Sequence, residues 1–243
     1  MEELMMKTKL KQFAESKYFD WFGVALVVGI VIMSGYLKTQ LSTYVDAWWA
    51  AYVPLGLISV INVGFSMVST RLTGRIDKAG NLFGIVNVAL SGAIDYILGN
   101  KAAIITYPVT FIIYTWAIAS WQRSIEGKAK TMSKRNLMIT MVATTIFAFV
   151  FSYYTNKIGY GGQMNTLAYV TTVAFALSIV ANVLNAFKLT NQYHFWFVYN
   201  LVQLAKAFVQ GNFANVGKYI FYIINAIGAL FIWNESTEKT EEA

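Results

Sequence analysis

Residues 83–121 read FGIVNVALSGAIDYILGNKAAIITYPVTFIIYTWAIASW, and residues 195–233 read FWFVYNLVQLAKAFVQGNFANVGKYIFYIINAIGALFIW. At a shift of 112 residues Phe83 falls on Phe195, Val86 on Val198, Ala93 on Ala205 and Ala102 on Ala214. Gly99-Asn100 falls on Gly211-Asn212, Tyr107 on Tyr219, Ile112 on Ile224, Ala117 on Ala229 and Trp121 on Trp233. Each copy is two apolar helical stretches joined by a Gly-Asn turn, and the two align without a gap. At a shift of 120, Val60, Asn62 and Val63 fall on Val180, Asn182 and Val183. The longer basic loop around Arg71–Lys78 absorbs the difference. The repeating unit is therefore three helices.

Working outward from that unit, eight apolar stretches stand out: Tyr18–Leu37, Ala47–Ser69, Leu82–Leu98, Ala102–Gln122, Leu137–Tyr154, Thr166–Phe187, Tyr193–Val209 and Val216–Trp233. A hydrocarbon core about 30 Å thick needs about 20 apolar helical residues. The chain of 243 residues is 57% hydrophobic and 13% charged, too little charge to cover a soluble fold of this size. The first stretch is too long for a cleavable signal and has no small-residue cleavage site. The expected fold is an all-α membrane protein with eight transmembrane helices. One peripheral N-terminal helix precedes a 3+1+3 core. The single linker helix restores direction, so the two triplets run parallel, an arrangement of transporters with a site between the halves. The chain divides into a cytoplasmic N-terminal tail (1–17), a peripheral first transmembrane helix (18–45) and a first three-helix repeat (46–123). A basic loop and linker helix (124–157), a second three-helix repeat (158–234) and a cytoplasmic C-terminal tail (235–243) follow.

Lysine and arginine placement sets orientation. Lys7, Lys9, Lys11 and Lys17, then Arg71, Arg75 and Lys78, then Arg123, Lys128, Lys130, Lys134 and Arg135, then Lys188 and Lys239 fall in alternate compartments. Only Lys38, Lys101 and Lys157 fall between them, while Lys206 and Lys218 sit in or beside the last two stretches. Both termini are thus expected in the cytoplasm of a multi-pass protein. The formal net charge of +7 reads as topology and not as nucleic-acid binding. Glu235, Glu238, Glu241 and Glu242 read as a solvated tail.

The seventh stretch carries the strongest constellation. Trp196, Asn200 and Gln203 are spaced i, i+4, i+7 on one helix face, flanked by Tyr193 and Tyr199. An amide in hydrocarbon costs kilocalories unless paired, so this stripe belongs either against a cavity or against another helix as packing glue. Asn182 and Asn185, Tyr219, Tyr222 and Asn225, Tyr107, Thr110, Tyr114 and Trp116, Asn87 and Ser91, and Ser59, Asn62 and Ser66 echo it in other stretches. Trp48 and Trp49 read as interface-belt residues.

Absences narrow the chemistry. No cysteine and a single histidine exclude disulfides, thiolate sites and a histidine metal cluster, and no cofactor is called for. Apart from Asp20 at the start of the first stretch, Asp95 is the only acid inside an expected span, so midplane carboxylates of an ion-coupled pump are missing. Cations are expected in the loops and not in the spans, so a phosphorylated ligand should be refused. A neutral or monocationic ring compound with hydroxyls fits better, stacked on Trp196 or tyrosines. Asp95 and Lys206 are candidates for a pair at the outer mouth with a gating role. A retinal Schiff base on Lys206 is a separate reading, and an intramembrane hydrolase using His194, without G-x-S-x-G or H-E-x-x-H, is another.

The run Phe83-Gly84-Ile85-Val86-Asn87-Val88, and Gln210-Gly211 followed by Tyr219 and Trp233, resemble the PnuC family of vitamin transporters. The family's pattern W-x-x-W-x-x-x-N is met by Trp196 and Asn200, with Tyr193 where the first tryptophan is expected. The resemblance covers about Asp46–Trp233. It implies a nicotinamide riboside carrier with a SWEET-like core in the bacterial inner membrane, working by facilitated diffusion. It also implies retention of the ligand by cytoplasmic phosphorylation, and a homo-oligomer, a trimer. The expected substrate-binding residues are Trp196, Asn200, Gln203, Tyr193, Asn182, Asn225, Tyr114, Asn87 and Tyr222. Tyr193 keeps an aromatic face and leaves thiamine, riboflavin or a deoxynucleoside open.

Overall fold

The structure, a computed structural model, describes residues 12–125 and 127–241, with side chains as far as 237. Lys7, Lys9, Lys11, Glu242 and the side chains of Glu238, Lys239 and Glu241 lie outside that description. The described residues are helical, without strands. The long helices are α1 (Lys17–Met33), α2 (Leu55–Gly74), α3 (Ala79–Ile97), α4 (Ala103–Gln122), α5 (Lys134–Gly159), α6 (Thr166–Ala186), α7 (Gln192–Val209) and α8 (Phe213–Glu241). Three 3-10 turns (Tyr36–Lys38, Leu41–Thr43 and Trp48–Tyr52) fill the link between α1 and α2.

Local chemistry sets several boundaries. Ser16, Ser133 and Asn165 cap α1, α5 and α6, each side chain accepting from a backbone N–H three residues on. The sequence expects the second span from Ala47 to Ser69, but α2 starts only after Pro54 and runs on to Gly74. Proline disfavours helical geometry in the residue before it, which holds Val53 extended. α8 likewise runs past Trp233 to Glu241, where the sequence suggests a tail. α3 and α7 end alike. Gly99 and Gly211 take φ of +96° and +64°, and the N–H of Asn100 and Asn212 reaches back to the carbonyls of Asp95 and Ala207 at 2.9 and 3.0 Å. This is a glycine-terminated Schellman closure, and only the residue without a Cβ enters that backbone region freely.

Six helices form a closed ring. α2 packs on α3, α3 on α4, α4 on α6, α6 on α7, α7 on α8, and α8 back on α2. α1 lies outside against α8, and α5 lies outside against α6. α1 approaches closely because Gly217 is bare: a Cβ there would stand 2.9 Å from the Cα of Val27. Around that contact Phe19, Val27, Val31, Val63, Met67 and Phe221 form one apolar cluster. α6 is almost wholly enclosed, whereas α5 turns Met138, Val142, Ile146, Phe147 and Val150 outward. Such a band of exposed apolar side chains has no place in water and suits lipid.

Six of the helices, α2 to α6 and α8, are long and apolar enough to cross a membrane. This is a multi-pass membrane protein. The sequence counts α1 and α7 as spans too, but α1 has 17 residues and α7 only 18, with Asn200, Gln203 and Lys206 on its inner face. The polarity that lowers the hydropathy of α7 is turned towards the centre of the ring.

Candidate substrate cavity

The ring encloses a cavity of about 140 Å³, running from Thr73 on α2 to Asn100 beyond α3. All nine residues expected to touch a ligand line it: Trp196, Asn200, Gln203, Tyr193, Asn182, Asn225, Tyr114, Asn87 and Tyr222. They come from α3, α4, α6, α7 and α8, and α2 adds Ser66, Ser69, Thr70 and Thr73.

The residues are held to different degrees. Trp196 sets its indole edge-on to Tyr199, with centroids 5.2 Å apart, and its Nε1 donates to Gln192 Oε1 at 3.2 Å. Gln203 donates to the Tyr199 hydroxyl at 2.7 Å, Tyr222 donates to Ser66 Oγ at 2.8 Å and Tyr193 donates to the Thr73 carbonyl at 3.3 Å. Tyr114 packs against α3 where Gly84 leaves room; a Cβ there would meet its ring at 2.3 Å. Asn87 is locked into a local network, donating to Asn62 Oδ1 at 2.9 Å and to Ser91 Oγ at 3.1 Å. Asn182 donates to the Ser178 carbonyl at 2.9 Å, which leaves its buried Oδ1 without a partner. The Asn200 side chain makes no hydrogen bond to the protein among the described residues, although it is buried against the cavity. The cavity thus pairs an aromatic face with amide groups that still want partners, suited to a flat ring bearing hydroxyl or amide groups.

Asp95 closes one end. Its Oδ2 accepts from Lys206 Nζ at 2.5 Å, Asn100 Nδ2 at 2.6 Å and Tyr107 at 3.1 Å, and its Oδ1 from Gln210 Nε2 at 2.7 Å. The pair joins α3 to α7 and is buried on both sides, so Lys206 does not snorkel to the surface. Arg71 stands at the opposite end. Because α2 continues to Gly74, Arg71 lies in the helix and not in the loop where the sequence places it. It is buried, with contacts to Asp20, Asn225 and the carbonyl of Ala14.

The expectation of cation-free spans fails at Arg71, Lys206 and Lys218. Lys218 matters most. It is 4% exposed, lines the cavity and has no hydrogen bond or ion pair among the described residues. Its Nζ sits 4.4 Å from the Tyr219 ring centroid and 6.0 Å from that of Tyr222. The sequence puts it in or beside the last stretch, and its place two residues after Val216, inside Val216–Trp233, is the available signal. His194 is exposed and away from the cavity.

A family model for the nicotinamide mononucleotide transporter matches residues 56–235, from the start of α2 through most of α8. The chain belongs to the nicotinamide mononucleotide transporter family. It is a transporter and not an enzyme, so the hydrolase and photoreceptor readings fall away, and the family resemblance drawn from the sequence stands. A curated relative, the nicotinamide riboside transporter PnuC of Neisseria mucosa, is 23% identical over 211 residues, covering 80% of this chain and 74% of its own. A crystal structure described as the vitamin B3 transporter PnuC superposes with a TM-score of 0.68 at 15% identity, over 92% of this chain and 93% of the other. At that identity the superposition speaks for the fold.

Proposed function

We propose that this transporter carries nicotinamide riboside by facilitated diffusion across the bacterial inner membrane, with eight spans and both termini in the cytoplasm. The observation that carries the reading is the cavity itself: an indole, tyrosines and unpartnered amides at the centre of a six-helix ring. Trp196 stacks on the pyridinium. Asn200 and Gln203 hydrogen-bond ribose or carboxamide, and Asn182, Asn225, Tyr114, Asn87, Tyr193 and Tyr222 close the site. The buried Asp95–Lys206 pair is a gate at the outer end. The Arg71 end faces the cytoplasm, in keeping with Arg75, Lys78, Arg123 and Lys130 around it. The closure order of the ring and the matching ends of α3 and α7 support two parallel triplets joined by α5, a SWEET-like core with α1 peripheral to it. Phosphorylation in the cytoplasm retains the ligand, and the molecule assembles as a trimer. The name of the Neisseria mucosa relative supports the choice of ligand.

One observation favours a second ligand. Lys218 lacks an anionic partner, and by helix rise it stands about 12 Å from Trp196 along the cavity. A pyridine nucleotide stacked on Trp196 would place its phosphate toward that ammonium, which the family's description also suggests. Equilibrium binding of nicotinamide riboside, its mononucleotide, thiamine, riboflavin and a deoxynucleoside to the purified protein separates these readings. The riboside is expected to bind tightest. Uptake into liposomes is expected to survive collapse of the proton gradient, and loss of uptake on collapse would exclude facilitated diffusion.

A further inference from the structure

Arg71 is buried, and each of its three guanidinium nitrogens already donates to the protein. Nε donates to Asp20 Oδ1, NH2 donates to the Ala14 carbonyl, and NH1 donates to Asn225 Oδ1 at 2.7 Å. The guanidinium carbon lies 4.7 Å from the Phe19 ring centroid. Asp20, Ala14 and Phe19 all belong to the segment outside the ring, and Asp20 Oδ2 also accepts from Arg75 at 2.8 Å. A guanidinium can only donate, so Asn225 must turn its oxygen to Arg71. Its Nδ2 is thereby turned away, and that nitrogen has no hydrogen-bond partner among the described residues, although Asn225 is 1% exposed and lines the cavity.

We infer that Asp20 and Arg71 are positioning residues that fix the Asn225 amide with its N–H donors toward the cavity. α1 thereby takes part in recognition without touching the ligand, and this level of the cavity selects a hydrogen-bond acceptor, such as a carboxamide oxygen or a ribose hydroxyl. The inference rests on the reading of the cavity as the ligand site.

Nicotinamide riboside binding is measured for the full chain, for Arg71→Met, for Asn225→Ala and for the double variant. Each single variant is expected to lose about tenfold in affinity, the worth of one hydrogen bond, and the double variant no more than either. Losses that multiply in the double variant would overturn the relay. Asn225→Asp keeps an acceptor for Arg71 but has no N–H to offer; it is expected to fold normally and to bind about tenfold more weakly. Wild-type binding by Asn225→Asp would also overturn it. The same cycle read as unfolding temperature needs no ligand, and Arg71→Met and Asn225→Ala are expected to be strongly non-additive there. A wild-type protein that binds no pyridine nucleoside would sink the ligand reading alone, and the thermal cycle would still decide whether the relay exists.

Discussion

Each end of the cavity has a buried cation paired with an acid, lining it at Lys206–Asp95 and standing behind Asn225 at Arg71–Asp20, but the two are built differently. At the Asp95 end both partners come from ring helices, and Lys206 has no other hydrogen-bond acceptor among the described residues. At the Arg71 end the acid comes from α1, outside the ring, and is 34% exposed, while the arginine also holds Asn225 and a backbone carbonyl. At the first, α7 reaches Asp95 only through Lys206 and, at its end, Gln210, so parting α3 and α7 strips the charge partner from Asp95 in one step while Asn100 and Tyr107 stay bonded to it. The second is distributed over three acceptors, one on α1, one on the segment before it and one on α8, and losing one leaves the others. An on-off contact suits a gate, and a distributed one suits a fixed anchor.

Asp95→Asn tests this contrast with the largest expected effect. It leaves the Lys206 ammonium in a water-poor site without its charge partner. Breaking a buried pair in this way costs about 3–5 kcal/mol. Chemical unfolding in detergent should show a loss of that size, and adding Lys206→Met should recover most of it. A loss below about 1 kcal/mol would mean that the pair is well hydrated and no gate. Trp196→Ala acts between the ends. It should weaken nicotinamide riboside binding by about 1–3 kcal/mol through loss of the stacked ring, with stability little changed. Wild-type affinity in a titration would remove Trp196 from the site.

Lys218→Met addresses a cation that belongs to neither closure. A charge-assisted hydrogen bond is worth about 1.5–3 kcal/mol. If Lys218 receives a phosphate, the affinity of the mononucleotide relative to the riboside should fall about tenfold in the variant. An unchanged ratio, measured by competition, would leave Lys218 as a cation held only by the rings of Tyr219 and Tyr222.

How much of this the sequence disclosed follows from what each signal depends on. The repeat was visible because Gly99-Asn100 and Gly211-Asn212 serve the same backbone closure, a local requirement that conserves residue type. The cavity stripe on α7 was visible because hydrocarbon makes amides conspicuous. The extent of α2 was not, since Thr70, Arg71 and Leu72 carry no stop signal and a charge alone reads like the start of a loop. The relay at Arg71 was hidden for a further reason: Asp20, Arg71 and Asn225 are brought together only by packing α1 across α2 and α8. The state of Lys218 was hidden likewise, because a lysine near a helix end can snorkel or stay inside, and only the neighbouring Tyr219 and Tyr222 rings decide it.

The smallest effect is expected from the same substitution at the other end. Asp20→Asn removes a charge but keeps an oxygen for Arg71, which also retains Asn225 and the Ala14 carbonyl. With the acid a third exposed, solvent screens much of what is lost. The cost should be about 1 kcal/mol or less in the unfolding experiment that reports several for Asp95→Asn. Affinity should still fall, because an arginine released from Asp20 holds Asn225 less firmly. Equal stability losses at Asp20 and Asp95 would erase the distinction between anchor and gate. A measurable affinity loss with little stability loss at Asp20 would sharpen it, since a residue that only props the fold would move the two together.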